Sequence, residues 1–364
     1  MTRAGHEPLT SKGFIQIESM SFFSAFKVLG DGVSMLSGNV KTHGPPISTE
    51  SEMSMKDRFR GRDFLTLMDY TPLEISYMLD VAQEFKRKRM MKEPHEYLKG
   101  RTIAMVFEKH STRTRFSFQA GIAHLGAQSF YATPEVMQLA RGEPIKDTAR
   151  ILDRYCDALV IRTYGQEIVE EYAEYMRNPV INALTNLTHP CQGLADLLTI
   201  REHKGGIAGN KLAYVGDPYN VCQTLMVASS LMGMDCYVAV PKGWAPAKAV
   251  ADFTEDHARK GGTEMVVTDD LREALTGADV VYANTFHSMG HKDIEERKKA
   301  FAKYQINDET MAWAKPDAIF MHCLPGYRGE EMTDSVIEGP QSVVFDEGEN
   351  RMHTEKAVLA LVVA

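Results

Sequence analysis

The chain of 364 residues is long enough for about two domains, and its 41 basic and 49 acidic side chains give a formal net charge of −8. Hydrophobic residues make up 44% and charged residues 25% of the chain, which is typical of a globular protein and excludes a largely disordered one. A pI near 5.9 disfavours a nucleic-acid partner. The longest apolar runs, such as residues 236–240 and 357–364, are far shorter than the ~20 residues that span a bilayer, so we expect no membrane partner.

Residues 1–54 differ in composition from the rest of the chain. They contain nine serines and a Gly-Pro-Pro at 44–46, and they show no sustained helical or strand periodicity. We expect a loose N-terminal extension that need not be ordered, with the compact protein starting near Met55. A targeting segment is the alternative, but acidic residues at 7, 18 and 31 disfavour a mitochondrial one.

From residue 63 onward, helix-like and strand-like segments alternate. The first helix is predicted to start at Thr71-Pro72-Leu73-Glu74, because Thr is a good N-cap, Pro suits the first helical position and Glu completes a capping box. Short runs typical of buried strands lie at 102–107, 128–132, 158–161, 180–182, 211–215, 236–240, 264–267, 280–283, 318–321 and 342–345. A last helix is predicted over residues 349–362.

This alternation predicts the fold class. Strands that are separated by helices form parallel sheets with helices packed against them. A helix from Pro190 and the Gly205-Gly206 pair after it divide the strands into two groups. We therefore predict an α/β protein with two doubly wound parallel-sheet domains joined by helices.

The cysteines, at 156, 191, 222, 236 and 323, are few and odd in number, and no Cys-x-x-Cys pair is present. This pattern disfavours a disulfide framework and a zinc site, and it favours a reducing compartment, so we expect a cytoplasmic protein with no metal. No strand leads into a Gly-x-Gly-x-x-Gly sequence, which disfavours a dinucleotide enzyme. We expect no cofactor.

Residues 107–115, Phe-Glu-Lys-His-Ser-Thr-Arg-Thr-Arg, give the first chemical signal. They follow a predicted strand and open a helix, whose free N–H groups and dipole favour a bound anion. The hydroxyl groups add donors, and an arginine can bind a phosphate through two parallel hydrogen bonds. An ordinary Ser/Thr helix cap with exposed arginines is the alternative, but so many anion-binding side chains in a row favour phosphate. The Gly-x-x-x-x-Gly-Lys of a Walker A loop is absent.

The same segment resembles the carbamoyl phosphate loop of the aspartate/ornithine carbamoyltransferase superfamily. Other motifs resemble those of the family and occur in its order: His-Pro-Cys-Gln at 189–192, Ser-Met-Gly at 288–290, His-Cys-Leu-Pro at 322–325 and Glu-Asn-Arg at 349–351. The Ser-Met-Gly and Cys-Leu-Pro motifs resemble those of the ornithine branch of this superfamily. The resemblance begins at about residue 55. It implies a carbamoyl phosphate-binding domain over residues 55–190, an amino-acid-binding domain over 191–345, and a C-terminal helix, 346–364, that returns to the first domain.

The resemblance also implies a set of site residues. Carbamoyl phosphate would be bound by Ser111, Thr112, Arg113, Thr114, Gln138, Arg162, His189, Pro190, Cys191, Gln192, Cys323, Leu324 and Arg351. Of these, Arg113, Arg162, His189, Gln192 and Cys323 would be catalytic. The thiol of Cys323 would contact the attacking amine while the carbonyl of Leu324 binds the carbamoyl nitrogen. Gln138 would reach the phosphate of a neighbouring subunit in a homotrimer.

The amino acid would be bound by Asn220, Asn284, Ser288 and Met289, and here the chain departs from the family pattern. Pro218-Tyr219 replaces the usual Gly-Asn before Asn220. Asn284 replaces an aspartate that normally contacts the ammonium of the amino acid, and the loss of a charged partner costs about 1.5–3 kcal/mol. His291 and Lys292 stand where acidic residues are usual, and Gly326-Tyr327 stands where Ala-His is usual.

The leading hypothesis is that carbamoyl phosphate and L-ornithine are converted to L-citrulline and phosphate, a reaction of arginine metabolism. Because the departures cluster around the acceptor, the same transfer onto a different amine is the first alternative. A non-catalytic relative that binds carbamoyl phosphate or a partner protein is the second. The intact phosphate and carbamoyl motifs speak against that second alternative.

Overall fold

The structure is a computed structural model that describes residues 54–288 and 291–364. The expected extension over residues 1–54 lies outside the described residues, apart from its last residue. Met289 and Gly290 of the Ser-Met-Gly motif also lie outside them.

Two parallel sheets organise the chain. The first contains β1 (Thr102–Phe107), β2 (Gln128–Ala132), β3 (Ala158–Arg162) and β4 (Val180–Leu184), in the order β2-β1-β3-β4. The second contains β5 (Lys211–Val215), β6 (Asp235–Ala239), β7 (Met265–Thr268), β8 (Val280–Ala283) and β9 (Ile319–Met321), in the order β7-β6-β5-β8-β9. The predicted α/β class with two parallel sheets is confirmed.

Helices connect the strands and cover the sheets. They are α1 (Pro72–Met90), α2 (Arg113–His124), α3 (Ile145–Tyr155), α4 (Gln166–Tyr175), α5 (Pro190–Lys204), α6 (Asn220–Met232), α7 (Lys248–Gly261), α8 (Leu271–Leu275), α9 (Ile294–Phe301), α10 (Asp308–Met311), α11 (Asp334–Ile337) and α12 (Val344–Val362). The predicted start of α1 is confirmed, because Thr71 and Glu74 form a reciprocal capping box in front of Pro72. Within the described ranges, no helix has the length and apolar composition that crossing a membrane requires.

The predicted strand at residues 342–345 is wrong. Ser342 makes only an isolated bridge to Phe320, and Val344 already begins α12. The run is short and apolar because Val344 packs into the core as the first residue of a helix. Short apolar runs of this kind do not distinguish a buried strand from a buried helix end.

Helices α5 and α12 link the two sheets. Helix α5 follows β4 of the first sheet and leads to β5 of the second, and it ends at Gly205, whose φ of 73° suits a glycine. Helix α12 packs along α5 and also against α1 and α2. The carboxyl ends of the strands of both sheets border one cavity, which is where parallel sheets usually bind ligands.

Candidate active site

The cavity has a volume of about 360 Å³ and lies between the strand ends of the two sheets. Its lining comprises Lys109, His110, Ser111, Thr112, Arg113, Thr114, Arg162, Leu184, His189, Gln192, Tyr219, Asn220, Val221, Asn284, Thr285, His287, Ser288, Cys323, Leu324, Pro325, Tyr327 and Arg351. Most of the predicted site residues are therefore brought together, although they come from distant parts of the chain. Among the described residues, no aspartate or glutamate lines this cavity.

One end of the cavity is the start of α2. The loop after β1 carries Ser111 and Thr112, and Thr112 occupies the N-cap position without capping the helix through its side chain. The first N–H groups of α2 are thus left without a side-chain cap from Thr112, at the positive end of the helix dipole. This geometry suits a bound anion.

Three guanidinium groups converge on the same end. Arg113 opens α2, Arg162 ends β3, and Arg351 lies on α12. The hydroxyl oxygen of Thr114 accepts hydrogen bonds from Nη2 of Arg351 at 2.9 Å and Nη1 of Arg162 at 3.4 Å. Burial, together with the charges of Arg351 and Arg113, lowers the pKa of Arg162 to about 9. Such a cluster of cations is stabilised when an anion binds between them.

The donors of this cluster are only partly used. Nε of Arg162 and Nε of Arg351 are buried and have no hydrogen-bond partner among the described residues. Arg351 is paired with Glu355 at 3.0 Å, but burial raises the pKa of that carboxyl to about 7. A phosphate or carbonyl oxygen would satisfy the free donors.

Beneath the cations lies a buried network that the sequence did not predict. Gln192 accepts a hydrogen bond from Nη1 of Arg351 at 2.6 Å, and its Nε2 donates to Asp196 at 2.8 Å and to Glu347 at 2.9 Å. Glu347 also accepts bonds from the hydroxyl of Tyr282 at 3.1 Å and from the backbone N–H of His322 at 2.9 Å. Both oxygen atoms of Glu347 therefore connect the Arg351 side of the site to the His-Cys-Leu-Pro loop.

The two acids of the network carry less negative charge than a pair of free carboxylates. Burial raises the pKa of Asp196 well above its usual range, and the negative charge of Glu347 raises it further. Burial likewise raises the pKa of Glu347 to about 7. We expect such a close pair to retain a proton at neutral pH.

His189 occupies the N-cap position of α5 at the end of the β4 loop. Its backbone N–H donates to the hydroxyl of Thr224 at 2.8 Å, which fixes it against α6. Burial, with the charges of Arg351 and Arg162, holds the pKa of the imidazole well below its usual range. His189 is therefore a neutral hydrogen-bonding group in the cavity and not an additional cation.

The acceptor end of the cavity is built from neutral groups. Asn284 follows β8, and its Oδ1 accepts a hydrogen bond from the thiol of Cys323 at 3.4 Å. Burial, with nearby Glu347 and Asp196, raises the pKa of Cys323 to about 12, so the group is a thiol and not a thiolate. The next residue, Leu324, has a φ of 56°, an unfavourable value for a branched side chain that marks a constrained loop.

His322 supports this loop from within the core. Its Nδ1 accepts the N–H of Leu324 at 2.8 Å, and its Nε2 lies 3.2 Å from Oε1 of Glu331. These partners assign the proton to Nε2, which donates to the carboxylate. The same oxygen of Glu331 accepts the N–H of Tyr327 at 2.7 Å.

Several predicted residues have different surroundings from those that the resemblance implied. The amide of Asn220 is occupied by the backbone carbonyl of Thr185 at 2.7 Å and the N–H of Val221 at 2.8 Å. Pro190 and Cys191 are buried on α5 and do not line the cavity. By contrast, Gln138 is exposed on a 3-10 turn and does not line the cavity of its own chain, a position compatible with the contact to a neighbouring subunit that the resemblance implies.

The site also contains residues to which the sequence motifs gave no role in substrate binding. Lys109 lines the cavity, with its Nζ 2.6 Å from Oδ1 of Asn186 and 4.4 Å from the ring centre of Tyr164, and burial lowers its pKa to about 8. Its position inside the 107–115 segment was a usable signal. Tyr219 packs edge-on against His291 with ring centres 4.8 Å apart. No local pattern pointed to that contact.

His291, one of the departures near the acceptor, lies in a cluster with Asp217 and Arg297. Asp217 accepts a hydrogen bond from Nη1 of Arg297 at 2.9 Å, and Nδ1 of His291 lies 3.3 Å from its other oxygen. This carboxylate is buried and paired with the cation of Arg297, and it does not line the cavity. It therefore does not replace the negative charge that Asn284 lacks.

Among the residues that the structure describes, no group of three or more His, Cys, Asp or Glu side chains is placed to hold a metal ion. The polar side chains that line the cavity carry cations, amides, hydroxyls, imidazoles and a thiol. This donor set suits an anionic substrate that is bound and polarised by hydrogen bonds.

Comparison with known proteins identifies the family. Residues 62–202 match the carbamoyl-P binding domain of aspartate/ornithine carbamoyltransferases, and residues 208–362 match the Asp/Orn binding domain. An ornithine carbamoyltransferase from Pyrococcus horikoshii is 49% identical over 304 residues, which cover 83% of this chain and 96% of that protein.

The structure of ornithine carbamoyltransferase from Pyrococcus furiosus is 48% identical with a TM-score of 0.81, and the match covers 84% of this chain and 98% of that one. A mitochondrial ornithine carbamoyltransferase from Coccidioides immitis is 30% identical with a TM-score of 0.77, over 84% of this chain and 98% of the other. Both matches extend over nearly the whole of the solved chains. The protein is a member of the aspartate/ornithine carbamoyltransferase family.

Proposed function

We propose that the protein is an ornithine carbamoyltransferase, which transfers the carbamoyl group of carbamoyl phosphate to the δ-amine of L-ornithine and yields L-citrulline and phosphate. The observation that carries the proposal is the convergence of Arg113, Arg162 and Arg351 at the start of α2, facing the Asn284–Cys323 pair across one cavity. The named relatives, which are ornithine carbamoyltransferases, support the same conclusion.

The phosphate end binds and activates the donor. We assign the phosphate to the start of α2 and to Arg113, where hydroxyl and N–H donors meet a positive charge. Arg162 and the neutral His189 are assigned to the carbamoyl oxygen, which gains negative charge as the amine attacks. Both N–H groups of the Gln192 amide donate to Asp196 and Glu347, and its oxygen accepts from Arg351, so its role is to orient Arg351.

The acceptor end presents the amine. A δ-amine has a solution pKa near ~10.4, so only about one molecule in a thousand carries a free lone pair at pH 7. That lone pair forms the bond to the carbamoyl carbon, the bond from this carbon to the phosphate oxygen breaks, and the phosphate leaves with the electron pair. The leaving phosphate is basic enough to take up the proton that the nitrogen loses. The site contributes by holding the reactants together and by stabilising charge.

The assembly proposed with this function is a homotrimer of a cytoplasmic protein, in which Gln138 completes the phosphate site of a neighbouring subunit. Its exposure outside the cavity of its own chain supports that role. Phe116, Phe130 and Val136 are also exposed on the first domain, at 66%, 64% and 77%. Exposed apolar groups of this size favour contact with another protein surface.

One observation supports the alternative in which a different amine is the acceptor: the described cavity lining has no carboxylate to pair with the α-ammonium group of ornithine. The test is phosphate release by the purified protein from carbamoyl phosphate, with ornithine, N-acetylornithine, putrescine and lysine as acceptors. We expect ornithine to give the highest kcat/KM. A better analogue would replace ornithine as the substrate, and release with none of the amines would favour a non-catalytic relative. Light scattering on the same sample tests the trimer.

A further inference from the structure

Among the residues that the structure describes, only the side chain of Asn284 forms a hydrogen bond with the Cys323 side chain. An asparagine amide has two different faces, one that accepts hydrogen bonds and one that donates them. Only the carbonyl face attracts the ammonium group of an amino acid. What holds this amide in one orientation therefore affects how the acceptor binds.

Tyr214 contacts the opposite face of the same amide. It lies on β5 beside β8, it is fully buried, and its ring packs against Tyr282 with centres 6.0 Å apart. Its hydroxyl donates to the backbone carbonyl of Asp217 at 2.6 Å and accepts a hydrogen bond from Nδ2 of Asn284 at 3.0 Å. Burial raises the pKa of Tyr214 well above its usual range, so the hydroxyl keeps its proton.

These bonds form a chain with one direction. The single proton of the Tyr214 hydroxyl is used by Asp217, so the hydroxyl oxygen can only accept from Asn284. The NH₂ group of Asn284 must face the tyrosine, and its carbonyl oxygen must face Cys323 and the cavity. Reversing the amide would require the hydroxyl to leave the carbonyl of Asp217, at the cost of a buried hydrogen bond.

The backbone around Tyr214 and Asn284 holds this chain of hydrogen bonds in a fixed geometry. The N–H of Asn284 donates to the carbonyl of Val215 at 2.9 Å, where β5 and β8 end side by side. Gly216, with a φ of 144°, follows at once, and a Cβ at that position would lie 2.5 Å from the carbonyl oxygen of Asn284. Glycine allows the two strand ends to approach, so Tyr214 and Asn284 meet at a fixed distance.

We propose that Tyr214 is a positioning residue for acceptor recognition: it fixes the Asn284 amide so that its carbonyl oxygen, and not its NH₂ group, faces the acceptor. The proposal rests on the proposed function for the identity of the acceptor, since the ammonium of ornithine is what the carbonyl oxygen would bind. The orientation itself is independent of any substrate.

The test substitutes Tyr214→Phe, which keeps the ring and removes the hydroxyl. We expect KM for ornithine to rise about tenfold, with kcat and KM for carbamoyl phosphate within about twofold, because the amide is no longer held in one orientation. Tyr237→Phe is the matched control. It removes a hydroxyl from the same sheet that bonds to Glu264 and does not line the cavity, and we expect no change.

Alkylation of Cys323 gives a readout that needs no substrate. When the amide reverses, its NH₂ group faces the sulfur and can donate a hydrogen bond to a thiolate. Iodoacetamide should therefore alkylate Cys323 about tenfold faster in Tyr214→Phe than in the parent protein at pH 9. Charged groups near the sulfur are Arg113, Arg162, Arg351, Glu347 and Asp196, and the substitution replaces none of them. The other cysteines are buried, and peptide mass spectrometry separates their reaction from that of Cys323.

A double substitution shows whether Tyr214 acts through Asn284. In an Asn284→Ala background, Tyr214→Phe should change neither the KM for ornithine nor the alkylation rate. Full effects in that background would overturn the proposal, and so would unchanged KM and alkylation in the single Tyr214→Phe variant. If no amine is turned over by the parent protein, the proposed function fails, while the alkylation rates still test the orientation.

Neutron diffraction from the unsubstituted protein covers the case in which the variant does not fold. We expect the Tyr214 hydroxyl deuteron to point at the carbonyl of Asp217 and both amide deuterons of Asn284 to lie on the nitrogen that faces the tyrosine. Deuterons on the atom that faces Cys323 would overturn the proposal.

Discussion

The phosphate end of the cavity holds three guanidinium groups from separate elements, whereas the acceptor end holds a neutral amide, a thiol and hydroxyl groups. At the phosphate end, the charges of Arg113, Arg162 and Arg351 repel one another until an anion arrives, so substrate charge supplies the affinity. At the acceptor end, the direction of hydrogen bonds through Tyr214 and Asn284 takes the place of charge. The difference implies that substitutions at the phosphate end should impair carbamoyl phosphate binding, whereas substitutions at the acceptor end should alter recognition of the amine.

The largest effect is expected at the phosphate end. Arg113→Ala should weaken carbamoyl phosphate binding by at least about 100-fold, because a charged donor is lost from an enclosed anion site. Arg115→Ala is the matched control, since Arg115 lies on the same turn of α2 but stacks on Tyr131 at 3.7 Å and does not line the cavity. Calorimetric titration with carbamoyl phosphate measures both. Equal losses of carbamoyl phosphate affinity in the two variants would contradict the assignment of the phosphate to the start of α2.

Part of this asymmetry could be predicted from the sequence. The phosphate end depends on residues 107–115, which are contiguous and follow a strand, so their side chains must gather where that strand ends. The alternation of strands and helices was equally local, and it predicted nine strands where the structure has them. It failed at residues 342–345, where an apolar run begins a helix instead of a strand.

The link between the two ends could not be predicted in this way. Asp196, Tyr282 and Glu347 are far apart in the sequence, and each alone is an ordinary core or helix residue. They become a network only because α5, β8 and α12 meet behind the cavity. The orientation of Asn284 is similar, since it depends on which atom of Tyr214 is free to accept.

Glu347 tests that link, with an effect of intermediate size. Glu347→Gln should raise the KM values for carbamoyl phosphate and ornithine together, each about tenfold, since one carboxyl holds both Gln192 and the backbone of His322. A glutamine cannot accept on both sides, because one oxygen becomes an NH₂ group that faces a donor. Glu349→Gln, on the exposed side of the same helix, is the control.

The pH dependence of stability gives a second measure of Glu347. Its pKa is raised by folding to about 7, so the folded state binds the proton more tightly than the unfolded state does. Its contribution to stability is therefore present at low pH and is lost as the pH rises from about 4.5 towards 7. The free energy of unfolding in urea should differ less between pH 5.5 and pH 7.5 for Glu347→Gln than for the parent protein. If the substitution left the difference in unfolding free energy between the two pH values unchanged, and altered only one of the two KM values, Glu347 would not connect the phosphate end to the acceptor end.

The smallest effect is expected for Asn284→Asp, which adds the charge that the acceptor end lacks. A carboxylate would attract the ammonium of ornithine, but it must be desolvated in a largely buried position, where Asn284 is 4% exposed. It also has no N–H for Tyr214, so the tyrosine hydroxyl must turn to donate to it and leave the carbonyl of Asp217. Because these costs offset part of the Coulomb attraction, we expect kcat/KM for ornithine to rise only about three- to tenfold.

N-acetylornithine separates this effect of charge from a general gain in activity, because acetylation removes the positive charge from the α-nitrogen. Its turnover by Asn284→Asp should fall or stay constant while that of ornithine rises, and both are measured as kcat/KM from citrulline or acetylcitrulline formation. Asn307→Asp makes the same change of charge at the N-cap of α10, where aspartate caps as well as asparagine does, and should alter neither value. If the parent used N-acetylornithine better than ornithine, and Asn284→Asp reversed the preference, the neutral amide would be the feature that selects an uncharged α-nitrogen. The acceptor end would then recognise a different substrate from the one proposed, while the phosphate end would keep its role.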